Sequence, residues 1–190
     1  AVRHASSGAI ITTQAENEEI LYKMLKKIQH TWESEEFEVS NYKDRRDVFI
    51  LTEVDEVIMQ LDDSMVSINT ILGSQYVGAI REAVEDWRNK LLLLQETLEE
   101  WLQCQKSWMH LETIFSAPDI QKQMPNEAKA FKGVDSQWRE IMKKTSGDPN
   151  CIRAATAVGL RDNFTKHNAV LDKVQKGLDE YLEVKRQAFP

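Results

Sequence analysis

The sequence predicts an all-α fold, an elongated antiparallel bundle of four to five helices with one small β-hairpin. Three observations lead to this prediction. Apolar residues recur at helical spacing through most of the 190 residues, as in helices that bury one face. Only 7 glycines and 4 prolines interrupt the chain, which favours long helices over many short strands. Hydrophobic residues make up 42% of the chain, which is enough to form a core.

The N-terminal half is predicted to contain two helices separated by the hairpin. Residues 20–32 carry apolar side chains in steps of three and four, which is typical of a helix. Two β-prone runs, 37–39 and 48–51, flank a polar turn and predict the hairpin. Thr52 is expected to cap the second helix, over residues 53–72.

The longest predicted helix covers residues 77–115. Its apolar residues alternate in steps of four and three, so they lie on one face. Polar residues interrupt this face at Gln105 and Glu112. We call the apolar face the α3 seam and expect its residues to be structural: Trp87, Leu91, Leu94, Leu98, Trp101 and Trp108.

Two more long helices are predicted in the C-terminal third. Pro118 and Pro125 bracket a turn before a helix over residues 127–144. A short helix near 150–157 precedes the final long helix. The structural residues expected on these last two long helices are Phe131, Trp138, Leu171, Leu178 and Tyr181.

Charge and hydropathy make nucleic acid and membrane poor candidate partners. The net charge is −7, with no basic block and no basic patch interleaved with aromatic residues. The longest leucine run, 91–94, is far shorter than the about 20 residues that span a membrane.

Residues for catalysis or cofactor binding are not found by motif. There is no GxxxxGK[ST] loop, and no GxGxxG follows a strand. No pair of His or Cys residues has a metal-ligand spacing on one helix face. Cys104 and His167 are the remaining candidates for chemistry, and burial in the core is the favoured interpretation of both. We therefore predict no catalytic, cofactor-binding or metal-binding residue.

The run LLLLQETLEEWLQCQKSWMHLETIFSAPDI, residues 91–120, begins a specific pattern that continues to residue 142. YKDRRDVFILTEVDEVIMQLDDSMVSINTI upstream and KGLDEYLEVKRQAFP at the end extend it over roughly 16–190. Residues 91–142 resemble the N-terminal part of the linker of dynein heavy chains. Thr113 departs from the family pattern, where many members have proline. The matching positions include Trp101, Trp108, Leu111, Glu112, Ile114, Phe115, Ser116, Pro118, Asp119, Ile120, Met124 and Pro125.

The resemblance implies a mechanical role. Residues 16–190 would be a linker fragment of an axonemal member, and residues 1–15 a disordered segment or one added by an expression vector. The linker couples ATP-driven changes in an AAA+ ring to the tail of a microtubule motor. The implied partners are the second half of the linker, the ring surface and, through the tail, other dynein subunits. ATP and magnesium would bind in the ring, and the implied location is the cytoskeleton, in the axoneme of a cilium or flagellum.

Two alternatives stay open at the level of sequence. One is a helical-bundle scaffold of the spectrin-like kind that binds a partner through one face. The other is an all-α enzyme that uses Cys104 or His167.

We predict that the chain does not bind ATP, because it has no loop that could cradle phosphates. Isothermal titration calorimetry with ATP and magnesium should give no heat of binding. A dissociation constant in the micromolar range would refute this prediction.

Overall fold

The structure, a computed structural model, describes residues 2–189, with side chains from residue 12 onward. It confirms the all-α class with one hairpin, and 80% of it is helical. Five long helices agree with the predicted number, and two short helices, α4 and α6, lie between them. The elements are α1 Val2–Ser34, β1 Glu38–Asn41, β2 Phe49–Thr52, α2 Asp55–Leu72, a 3-10 turn Gly78–Ile80, α3 Arg81–Phe115, α4 Pro118–Gln123, α5 Pro125–Gly147, α6 Cys151–Ala155 and α7 Leu160–Ala188.

Helix α3 is the central element of the bundle. It packs against α2, α5, α6 and α7 and also contacts β2, and its contact with α7 is the most extensive in the molecule. Helix α1 packs on α2, and α5 on α7. The buried apolar residues form one continuous cluster that reaches from Leu21 in α1 to Leu178 in α7. Residues 2–189 therefore share a single core, arranged around α3.

The β-hairpin pairs its strands antiparallel, with Val39 opposite Leu51 and Glu38 opposite Thr52. The prediction that Thr52 caps the second helix is wrong. Its hydroxyl oxygen lies 2.9 Å from the hydroxyl of Ser40 across the hairpin. Helix α2 starts later, at Asp55, and has no side-chain cap at its N-terminus. The Thr52 hydroxyl thus bonds across the hairpin instead of capping α2.

The boundaries around α3 also differ from the sequence prediction. The predicted helix 77–115 is divided, because Ile80, the last residue of the 3-10 turn, has the non-helical angles φ −114° and ψ 3°, so that α3 begins at Arg81. The predicted turn after α3 contains helix α4, with Pro118 in its first turn. Proline is favoured there, since the first helical N–H groups lack partners within the helix anyway.

The end of α1 is fastened to the segment before α6 by backbone and amide contacts. The Phe37 N–H donates to the Pro149 carbonyl at 2.8 Å, and the Cys151 N–H donates to the Glu35 carbonyl at 3.0 Å. The side chain of Asn150 donates to the carbonyl of Glu33 at 3.1 Å. These contacts join parts of the chain more than a hundred residues apart and fix the position of the hairpin.

The two polar residues that interrupt the α3 seam hold the hairpin against α3. The Gln105 amide accepts from the Leu51 N–H and donates to the Leu51 carbonyl, both at 2.8 Å. A guanidinium nitrogen of Arg45 lies 2.6 Å from the buried carboxylate of Glu112. An isolated two-stranded hairpin is at best marginally stable in water. The polar positions of the seam thus act as anchors for the hairpin.

The division of the chain at residue 15 stays a prediction. Helix α1 begins at Val2 and continues without interruption to Ser34, while residue 1 lies outside the described part. Within residues 2–189, no helix combines the length and the apolar character needed to cross a membrane.

We expect Gln105→Ala to lower the free energy of unfolding by about 1–3 kcal/mol, because it removes both hydrogen bonds to Leu51. The matched control is Gln103→Ala, since the Gln103 amide bonds, among the described residues, only to Ser107 on the exposed side of α3. That control should cost less than about 0.5 kcal/mol. Urea unfolding followed by circular dichroism measures both, and equal losses would show that Gln105 does not anchor the hairpin.

Candidate functional site

The most extensive side-chain arrangement is a line of six aromatic rings through the core, which we call the aromatic column. Successive ring centroids lie 5.3, 5.1, 6.3, 5.3 and 4.9 Å apart, within the range of favourable aromatic pairs. The column begins just after the C-terminal end of α1, passes through α3, α7 and α5, and returns through α3 to the hairpin. Its members, in order, are Phe37, Trp101, Phe164, Trp138, Trp108 and Tyr42.

Two indole N–H groups of the column have polar partners on α5. Trp108 donates to Asp135 at 2.8 Å, and the other carboxylate oxygen of Asp135 accepts from Arg139 at 3.0 Å. Trp101 donates to the sulfur of Met142 at 3.3 Å. The Trp138 indole nitrogen is buried with no hydrogen-bond partner among the described residues. These bonds fix the rotation of α5 relative to α3.

Most predicted structural residues lie in the core. Of the predicted residues in α3, only Trp87 is half-buried, and its ring lies under the ammonium group of Lys90 at 4.8 Å. In α7, Tyr181 is half-buried. The others are buried, with at most 7% of the residue exposed: Leu91, Leu94, Leu98, Trp101, Trp108, Phe131, Trp138, Leu171 and Leu178.

Cys104 and His167, the two candidates for chemistry, are both buried, as is the second cysteine, Cys151. Burial raises the pKa of the Cys104 thiol to about 12, and burial also raises the pKa of Cys151. A thiol with such a pKa carries almost no thiolate at neutral pH, and the thiolate is the nucleophile. Burial lowers the pKa of His167, and its Nε2 lies 2.7 Å from the Gln137 amide oxygen. His167 therefore has the environment of a core residue.

A cavity of about 520 Å³ lies between α5, α6 and α7. Ile141, Ala154 and Leu160 line its apolar part. At its rim, Arg153 donates two hydrogen bonds of 2.8 Å to Asp148, and these bonds lower the pKa of that carboxyl group. The lining contains no thiol and no imidazole. Among the described residues, no group of three or more His, Cys, Asp or Glu side chains could hold a metal ion.

Sequence reasoning placed the tryptophans on one face, but it missed the polar residues that position them. Asp135 gives no signal in the sequence beyond an acid beside an apolar stripe. Gln105 and Glu112 were visible as interruptions of the α3 seam, and this was the available signal for the docking of the hairpin. The structure thus defines a helical domain with one closely packed core among the described residues and its longest helix at the centre.

Comparisons with known proteins agree with this class. Residues 2–190 match the family described as "Dynein heavy chain, N-terminal region 2". The chain is 47% identical over 180 residues to dynein axonemal heavy chain 6 of Homo sapiens, which covers 95% of this chain and 4% of that protein. It is 39% identical over 181 residues to dynein axonemal heavy chain 12 of Homo sapiens, covering 95% of this chain and 6% of the relative. It is also 39% identical over 187 residues to dynein axonemal heavy chain 1 of Mus musculus, covering 98% and 4%.

The chain belongs to the dynein heavy chain family and corresponds to its N-terminal region 2. This confirms the resemblance found in the sequence, including its axonemal character. It also decides between the family and the spectrin-like alternative. The chain spans only 4–6% of the length of these relatives.

We expect Trp101→Ala to lower the free energy of unfolding by about 3–5 kcal/mol, because the residue is fully buried and contacts two other rings. Trp87→Ala is the matched control, since Trp87 lies on the same helix but is half-buried, and it should cost roughly 1 kcal/mol. Urea unfolding gives both values. A loss below about 1 kcal/mol for Trp101→Ala would mean that the aromatic column is not needed for stability.

Proposed function

We propose that residues 16–190 form a force-transmitting part of the linker of a dynein microtubule motor. In this proposal the segment couples ATP-driven changes in the AAA+ ring of the heavy chain to movement of the tail. The observation that supports it most is the continuous 35-residue helix α3, against which α2, α5, α6 and α7 pack. At 1.5 Å per residue such a helix is about 52 Å long.

Stiffness is the property that this arrangement offers. Bending α3 would separate rings that are stacked along it, since Trp101 stacks on Phe164 of α7 and Trp108 on Trp138 of α5. Closely packed interiors have low compressibility and transmit strain instead of absorbing it. A load applied at one end of α3 would thus be carried along the helix and into α5 and α7.

ATP hydrolysis would take place in other parts of the heavy chain. ATP and magnesium would bind in the ring, and residues 16–190 would contribute packing and no catalytic group. The proposed partners are the second half of the linker, the surface of the AAA+ ring and, through the tail, other dynein subunits. The relatives are axonemal dynein heavy chains, so the proposed location is the cytoskeleton of a cilium or flagellum.

A flexible glycine-serine insertion after Gln103 tests this role in a full-length heavy chain. The insertion breaks the hydrogen-bonded ladder of α3 and puts Trp101 and Trp108 out of register. We expect basal ATPase activity to survive, because the insertion leaves the ring unchanged, and microtubule gliding to slow sharply. Both rates are measured on the same purified motor.

Two control variants accompany this experiment. The same insertion after Val158 lengthens an exposed loop between α6 and α7, and Glu99→Gln changes one exposed charge on α3. Glu99→Gln should not slow gliding much, since exposed charges contribute only about 0–1 kcal/mol. The Val158 insertion should not slow it much either, because it leaves the hydrogen bonds of α3 intact. Normal gliding by the Gln103 insertion would show that α3 does not transmit the stroke, and loss of ATPase activity would show that the insertion acts on the ring.

A further inference from the structure

A cleft of about 480 Å³ lies between the hairpin loop, the C-terminal end of α3, α4 and residues 128–139 of α5. Phe115 and Phe131 line its apolar side, with ring centroids 5.8 Å apart. Four cationic side chains, from two separate parts of the chain, also line it: Arg45, Lys129, Lys132 and Arg139. This cluster could not be predicted from the sequence, because Lys129 lies 84 residues after Arg45 and no basic block exists.

The two arginines of the cleft are held in place but retain free donors. Arg45 uses one nitrogen for the Glu112 carboxylate, and Arg139 uses one nitrogen for Asp135. A guanidinium group has five N–H donors, and no other side-chain hydrogen bond of either arginine is found among the described residues. Their side chains are 39% and 38% exposed. Each guanidinium is thus oriented by one carboxylate and can still bind a second one.

The charge of the cleft is opposite to that of the whole chain. Four cations and two carboxylates, Glu112 and Asp135, line it, which leaves an excess of two positive charges, whereas the chain carries −7. Lys129 and Lys132 are exposed and form no ion pair among the described residues. The excess charge is available to a ligand, because both carboxylates already bind the arginines.

The geometry points to a docking site for an acidic peptide segment of a partner protein. Its aspartate or glutamate side chains pair with Arg45 and Arg139, and an apolar side chain contacts the apolar lining that includes the edge of Phe131. Guanidinium groups bind carboxylates through paired hydrogen bonds, which gives direction as well as charge. The cleft offers two arginines with free donors and an excess of two positive charges, which favours a short segment with few carboxylates.

Fluorescence anisotropy with the 190-residue chain tests this proposal. The probe is a short labelled peptide rich in glutamate, with one central leucine. Lys129→Glu with Lys132→Glu should weaken binding by roughly tenfold or more, because reversed charges at a contact surface repel the ligand. The matched control is Lys173→Glu with Lys176→Glu, a pair with the same spacing and exposure on α7 outside the cleft. It should change affinity by less than about twofold, although the change in net charge is identical.

Proton–nitrogen NMR of the tryptophan indole N–H groups supplies a second readout. The Trp108 indole N–H bonds to Asp135, which also binds Arg139, so its resonance should shift when the peptide binds. The Trp32 indole N–H bonds to Ser64 in α2 and should not shift. Equal loss of binding in both double variants would show attraction by net charge alone and overturn the proposal. The absence of saturable binding would also overturn the proposal. So would inorganic phosphate, if it displaced the peptide and shifted the Trp108 indole resonance as strongly as the peptide does.

Discussion

Trp108 packs where α3, α5 and the hairpin meet, and the rest of the fold depends on this contact. Its ring lies between Trp138 and Tyr42, 5.3 and 4.9 Å away. Its indole N–H bonds to Asp135 at 2.8 Å. The ring is fully buried, and a large buried side chain with a satisfied donor can be placed in few ways. One residue therefore fixes the relative position of three elements.

Polar residues in the α3 seam give this core its specificity. An uninterrupted apolar face would pack the hairpin against α3 in several registers, since apolar contact has no direction. Gln105 hydrogen-bonds both backbone groups of Leu51, and Glu112 binds Arg45. A shift of the hairpin by one residue would leave these buried groups without partners, which costs more than the bonds themselves contribute. The interruptions determine where the hairpin lies.

The same contacts connect the proposed mechanical role to the basic cleft. Glu112 and Asp135 orient the two arginines of the cleft, and Asp135 also bonds to Trp108 in the core. A partner bound to Arg139 would therefore be joined to α3 through two hydrogen bonds. A docking site on a stiff element passes the load to the element and not to a flexible loop. The structure thus relates the surface where a partner would bind to the helix that would carry force.

The sequence alone determined the helical class, the position of the hairpin and the face of each long helix. Periodicity is a local property, so it could assign Trp101 and Trp108 to one face. Tertiary structure alone decided which rings meet and which cations share a cleft. It also decided that the Thr52 hydroxyl bonds within the hairpin and does not cap a helix. These outcomes depend on contacts between residues far apart in sequence, such as Arg45 with Glu112. The spacing of residues along one helix contains no information about its neighbours, and only packing of the whole core selects them.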